Sequence, residues 1–232
     1  MKTTTNRGAA RRGFTLVELL TVVVIIGILA GLITAAAFPV RNWARQSRIQ
    51  MEISEMATAL EAYRERFGDY PPDNQDDLAA HLAKAFPKYT GGLPEGASLT
   101  PQTALVFWLG GPGGNGFSAN PANPFDGNAS RIGPFFPFDQ KRLREGQYFS
   151  EYVNVEQADP YQYIRPGGNS SGAYVDTVTG MPANADSFQI VAPGLDGQYG
   201  EGTNFPPTDA SEEACLDNQS NFSNGPFSRS MP

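Results

Sequence analysis

Arg11-Arg12-Gly13-Phe14-Thr15-Leu16-Val17-Glu18-Leu19-Leu20 opens the longest apolar run of the 232-residue chain. From Phe14 to Val40 there is one charged residue, Glu18. A helix over this run is roughly 40 Å long, enough to cross a hydrocarbon core of about 30 Å. A carboxylate inside such a helix costs roughly 2.5–3.5 kcal/mol near the bilayer centre. Two ordinary readings leave that cost unexplained. A secretory signal peptide shares the basic start, but its apolar region is shorter and ends in a small-x-small cleavage pattern that is missing here. A plain single-span anchor has no use for Glu18.

Working outward, the segment before the run carries Lys2, Arg7, Arg11 and Arg12 and no acid. The chain has 17 Lys and Arg against 24 Asp and Glu, so everything after residue 13 has 13 basic and 24 acidic residues, a net charge of −11. Phosphate contacts require Lys and Arg, so a nucleic-acid partner is not expected. An acidic domain suits a cation site or simple solubility. Cys215 is the single cysteine, which excludes an intrachain disulfide and a cysteine-based zinc site.

The run contains Gly27-Ile28-Leu29-Ala30-Gly31, a small-xxx-small spacing that lets helices approach closely in lipid, with Ala35, Ala36 and Ala37 adding small surface. Pro39 removes a backbone donor and predicts a bend. Beyond it, Ile53, Met56, Leu60, Tyr63 and Phe67 recur at spacings of 3 and 4, a one-sided apolar stripe that predicts a helix to about Phe67, closed by Gly68. Glu52, Glu55, Glu61, Arg64 and Glu65 mostly fall off that stripe.

The sequence Gly13-Phe14-Thr15-Leu16-Val17-Glu18, after its basic leader, resembles the class III leader of type IV pilins and type II secretion pseudopilins. The resemblance implies cleavage after Gly13 by a membrane-embedded aspartyl prepilin peptidase and methylation of the new amino terminus, Phe14. It also implies that Glu18 meets the terminal amine of a neighbouring subunit, which supplies the cation that a carboxylate in lipid needs. Charge alone leaves orientation open, because Arg41, Arg45 and Arg48 follow the other end of the span. The resemblance implies a cytoplasmic leader, a single pass through the bacterial inner membrane and a periplasmic head.

Phe67-Gly68-Asp69-Tyr70-Pro71-Pro72 is similar to the Gly-x-Tyr-Pro turn after the stem of the major pseudopilin, and Asp159-Pro160-Tyr161-Gln162-Tyr163-Ile164 to its Pro-Tyr-Gln-Tyr strand. Many type IV pilins carry a C-terminal disulfide, so the lone cysteine leans towards the pseudopilins. Short helices are expected within Asn74–Tyr89 and Pro101–Leu109, with His81 a surface or packing residue. Residues 110–137, rich in Gly, Pro, Asn and Phe, read as an irregular surface excursion anchored by aromatics. Strands are expected within 147–155, 159–164 and 187–191. The expected fold is therefore α+β and type IV pilin-like: a long N-terminal helix, its first half membrane-spanning, packed on a small antiparallel sheet. The expected organisation is a leader over 1–13, a fibre-core helix over 14–40, its amphipathic continuation over 41–68, and a head over 69–232.

After the last expected strand stands Ala192-Pro193-Gly194-Leu195-Asp196-Gly197. It resembles the loop of the major pseudopilin in which a calcium ion orders the C-terminus. That likeness implies Asp196 and the Pro193 carbonyl as ligands, with Asp217 as second carboxylate and Glu201 and Asn218 as further candidates. About ten extra residues, including Asp209, Glu212 and Glu213, separate the two carboxylates. The competing reading is a tight Asp-Gly turn with an exposed acid.

No Ser/His/Asp set, phosphate loop or histidine metal motif is present, so no enzyme is expected. The leading expectation is a structural subunit of a pseudopilus that drives type II secretion. Its partners would be copies of itself, other pseudopilins, the prepilin peptidase, the inner-membrane assembly platform and, before assembly, the lipid. The alternatives are a type IV pilus subunit for adhesion, motility or DNA uptake, and a non-polymerising membrane-anchored binding module. The latter would use Phe117, Phe125, Phe135, Phe136 and Phe138 to hold a carbohydrate or a secreted substrate.

Overall fold

The computed structural model describes residues 14–207 and 213–230, and the side chains of all of these except 35–38, 213, 229 and 230. The chain divides into two compact units at Trp43/Ala44. Helix α1, Leu16–Phe67, contributes to both. In the first unit its apolar side chains are exposed all round, from Leu16 at 80 % to Ile33 at 69 %. This pattern belongs to a helix whose solvent is lipid or other helices. Hydroxyls within it turn back on the helix: Thr21 Oγ1 donates to the Glu18 carbonyl at 2.9 Å and Thr34 Oγ1 to the Ala30 carbonyl at 2.8 Å. Polar groups in hydrocarbon need such internal partners.

In the second unit the spacing rule produces a spine. Ile49, Ile53, Met56, Leu60 and Tyr63 are all buried, three or four positions apart on a single face. Gly68, at φ +83°, ends α1 by donating its N–H to the Arg64 carbonyl at 2.7 Å, the left-handed cap that glycine adopts without steric cost.

The remaining elements are short: α2 (Leu78–Ala85), α3 (Ala104–Gly110), β1 (Phe117–Ser118), β2 (Arg131–Ile132), β3 (Leu143–Arg144), β4 (Gln147–Tyr148), β5 (Gln162–Ile164), β6 (Val175–Asp176), β7 (Gln189–Ala192), β8 (Asn204–Phe205) and β9 (Gln219–Ser220). The expected three-stranded antiparallel sheet is present as β5-β7-β9, with Tyr163 opposite Ile190 and Val191 opposite Ser220. The central strand β7 is buried at every position. Ile190 and Ala192 join the core on α1, while Val191 and Ile164 join a second cluster with Tyr174, Tyr199 and Phe227. The α+β architecture anticipated from the sequence is thus the one observed.

Two expectations need correction. The 147–155 segment does not join this sheet: β4 pairs with β3 as a hairpin across Glu145-Gly146. The third strand is β9 instead, two polar residues too short to show any alternation. Nor is the 110–137 excursion a surface feature throughout. β1 and β2 pair antiparallel, and Phe117 has 0 % exposure. Its ring lies 6.2 Å from that of Tyr63 and 5.8 Å from that of Phe67, and Phe135 stacks edge-on at 5.4 Å from Tyr63. Burying aromatic area outweighs the lack of regular structure, because each such ring removes roughly 150–250 Å² from water.

Candidate assembly site and C-terminal loop

Gly13 lies outside the described residues. Phe14 is exposed, and Thr15 caps the helix that follows it. Thr15 N and Oγ1 donate to Glu18 Oε2 at 2.9 and 2.7 Å, and Glu18 N donates back to Thr15 Oγ1 at 3.2 Å. This reciprocal arrangement is a capping box: two orphan N–H groups of the helix start find acceptors, and the carboxylate sits at the positive end of the helix dipole. Part of the cost of Glu18 is therefore met inside its own chain. Both bonds fall on Oε2. Further along, a Cβ built at Gly27 or Gly31 would meet nothing within 4 Å, so this face is open to a close neighbour.

The two phrases that resemble the major pseudopilin meet in space. Tyr163 Oη donates to the Pro71 carbonyl at 2.7 Å and Trp108 Nε1 to the Pro72 carbonyl at 2.8 Å. Arg165 holds the same turn through Asp69 at 2.9 Å and the Tyr70 carbonyl at 3.0 Å. Lys84 also pairs with Asp69 at 2.9 Å, and Asp73 accepts from Arg165 N and Ser170 Oγ. His81 is a packing residue. It is buried, bonded through Nε2 to Tyr63 Oη at 2.9 Å, and its pKa is pushed down to about 4, first by burial and then by the nearby Arg165 charge.

At the C-terminal loop the structure brings Asp196 and Asp217 together. Asp217 Oδ2 accepts from Leu195 N at 2.6 Å and Asp196 N at 3.2 Å. Gly194 makes the close approach possible, since its φ is +65° and a Cβ there would overlap the Asp217 carboxylate. Asp196 Oδ1 accepts from Gln198 N at 2.8 Å, and the Pro193 carbonyl from Gly197 N at 3.2 Å. Asp217 is raised above the usual carboxylate range, chiefly by burial and further by the charge of Asp196, although the loop amides oppose this.

Its Oδ1 is buried without a hydrogen-bond partner among the described residues, and so is Oδ1 of Asn218, a residue with 0 % exposure. These bare oxygens suit a hard cation, which takes six to eight oxygen ligands. Among the described residues, however, no three His, Cys, Asp or Glu side chains gather as a metal-binding group. Glu201 is exposed, and Asp209 and Glu212 lie outside the described residues.

Residues 8–34 match the prokaryotic N-terminal methylation motif. Over 128 residues, 55 % of this chain and 78 % of the relative, the chain is 27 % identical to type II secretion system core protein G of Klebsiella michiganensis. These findings support a pseudopilin reading of the chain. No solved structure matches it. The α1 helix is long and apolar enough to cross a membrane.

One site in the second unit escaped the reading of its residues. Glu52 is among the charged residues that mostly fall off the apolar stripe. It accepts two bonds from Arg142, at 2.6 and 2.7 Å, and one each from Tyr148 Oη at 3.0 Å and Tyr161 Oη at 2.7 Å. Arg142 also donates Nε to the Phe149 carbonyl at 2.7 Å and stacks 4.2 Å from the Tyr148 ring. Both tyrosines titrate above their usual range, by burial first and then by the Glu52 charge. Burial alone would lower Arg142, but its bonds and charge pairing with Glu52 more than reverse this. The signal was present: Glu52 stands three residues after Ile49 and four before Met56, so it lies on the buried face.

Proposed function

We propose that this chain is a pseudopilin, a structural subunit that is cleaved after Gly13 and stacks through its N-terminal helix into a periplasmic pseudopilus serving type II protein secretion. The observation that carries this reading is the first unit. Its exposed apolar helix has no partner among the described residues, and its one acid stands close in sequence to the terminus that cleavage would free. A Glu18 carboxylate held by its own cap can take a cation on the oxygen that the cap leaves unused. Chemistry is not part of this role; the work is to polymerise, extend and retract. Partners on this reading are further copies, other pseudopilins, the prepilin peptidase and the assembly platform in the inner membrane. Mass spectrometry of protein recovered from membranes is expected to give a chain that starts at methylated Phe14. A chain that retains Gly13 would overturn the processing step and the assembly that depends on it.

Calcium is proposed for the C-terminal loop, held by Asp217 and Asp196 with the Pro193 carbonyl and the Asn218 side chain as supporting oxygens. When bound, it would supply the positive charge that two adjacent carboxylates lack. The partnerless Oδ1 of Asp217 supports this reading. A site present only in the folded form stabilises it by roughly 2.7 kcal/mol at a hundredfold excess over Kd. The thermal midpoint in calcium is therefore expected to exceed that in chelator, and Asp217→Asn is expected to abolish the difference. Equal midpoints for the unsubstituted protein would leave the Asp-Gly turn as the whole account.

A further inference from the structure

A cavity of about 680 Å³ in the head lies against the Gly110–Gly114 backbone, between α3 and the β3–β4 hairpin. Its volume is within the roughly 300–1,000 Å³ of ordinary ligand pockets. Phe107, Phe136 and Phe138 supply its apolar walls, and Glu95, Glu145 and Gln140 its polar edge. No Lys, Arg or His lines it. The Glu145 backbone stands at φ +49° in the two-residue turn between β3 and β4, a position that favours Gly, Asn or Asp. A glutamate is held there at a steric cost and is one of the residues that line this cavity.

Aromatic faces attract a cation electrostatically, and two carboxylates at the edge add charge without any competing base. An anion is excluded by the same set. We propose that this cavity binds an arginine-bearing peptide segment of another protein, with the guanidinium between the Phe walls and the Glu95 and Glu145 carboxylates. Arginine suits it better than lysine, because a planar guanidinium stacks on aromatic rings and pairs with carboxylates in the same pose.

A second copy of the head is the poorer occupant. Residues 44–232 hold 12 basic and 23 acidic residues, and Arg142, Arg165, Lys84 and Arg64 already lie in ion pairs. This inference goes beyond the assembly reading and holds whether or not the chain polymerises.

The test is fluorescence anisotropy with full-length protein in detergent micelles and a labelled Gly-Pro-Arg-Pro-Gly peptide. Its citrulline counterpart keeps the shape and loses the charge. The arginine peptide is expected to bind about tenfold more tightly than the citrulline one, and more weakly as salt rises. E95Q/E145Q, at two exposed positions, should cost about tenfold in affinity with an unchanged thermal midpoint. Equal affinities for the two peptides, absence of binding, or unaltered binding by E95Q/E145Q would each overturn the proposal. So would self-association that E95Q/E145Q abolishes while the arginine peptide fails to compete, since that outcome would put another copy in the cavity.

Discussion

Glu18→Val is expected to leave membrane insertion intact and to abolish fibre formation. Valine removes the one charge between Phe14 and Val40, so the helix becomes easier to insert, by roughly 2.5–3.5 kcal/mol for a group near the bilayer centre. The same change removes the acceptor for a neighbour's terminal amine and breaks the capping box with Thr15. Loss of a helix cap typically costs about 1 kcal/mol, which frays the first turn without unfolding the helix. Thr15→Ala separates the two roles. It weakens the cap but keeps the carboxylate, so assembly is expected to persist at reduced yield. Fibre yield in a reconstituted system, read beside membrane fractionation, checks both. Normal fibres from Glu18→Val would remove the acid from any account of subunit register, and with it the main ground for the polymer reading.

Glu52→Ala is expected to be among the most damaging single changes to the head. The side chains of Glu52 and Arg142 are only 18 % and 15 % exposed, so alanine would strand a guanidinium and two tyrosine hydroxyls without their acceptor. Removing one partner of a buried pair costs roughly 3–5 kcal/mol. For a chain of this size that corresponds to a fall of about 10 °C in thermal midpoint. The double variant Glu52→Leu/Arg142→Met is expected to lose less than the two single changes added together, because neither charge is then left unpaired. Chemical denaturation measures all three. A cost for Glu52→Ala below about 1 kcal/mol, the value for an exposed pair, would show that water reaches this cluster freely. The consequence reaches past stability, since Arg142 and Tyr148 belong to the segment that follows the Phe-rich excursion. Through them the excursion is tied to α1.

By itself the amino-acid order determined the long helix, its apolar first half, the stripe from Ile53 to Phe67 and the turn at Gly68. Each of these depends on neighbours three or four positions apart, so the pattern is written locally. The pairing of Asp196 with Asp217 as metal ligands is implied by the resemblance to the major pseudopilin and not by spacing. What tertiary structure decided has longer range. Gln219-Ser220 is too short to announce a strand, and becomes one only because β7 offers an edge. Phe117 and Phe135 stand in a stretch without period, yet Tyr63 and Phe67 draw them inward. Nothing near Glu52 in the sequence names its partner, because Arg142 lies 90 residues away. The physical reason is common to all three: hydrophobic burial and charge pairing are satisfied by whichever groups arrive in space, and distance along the chain places few limits on which those are.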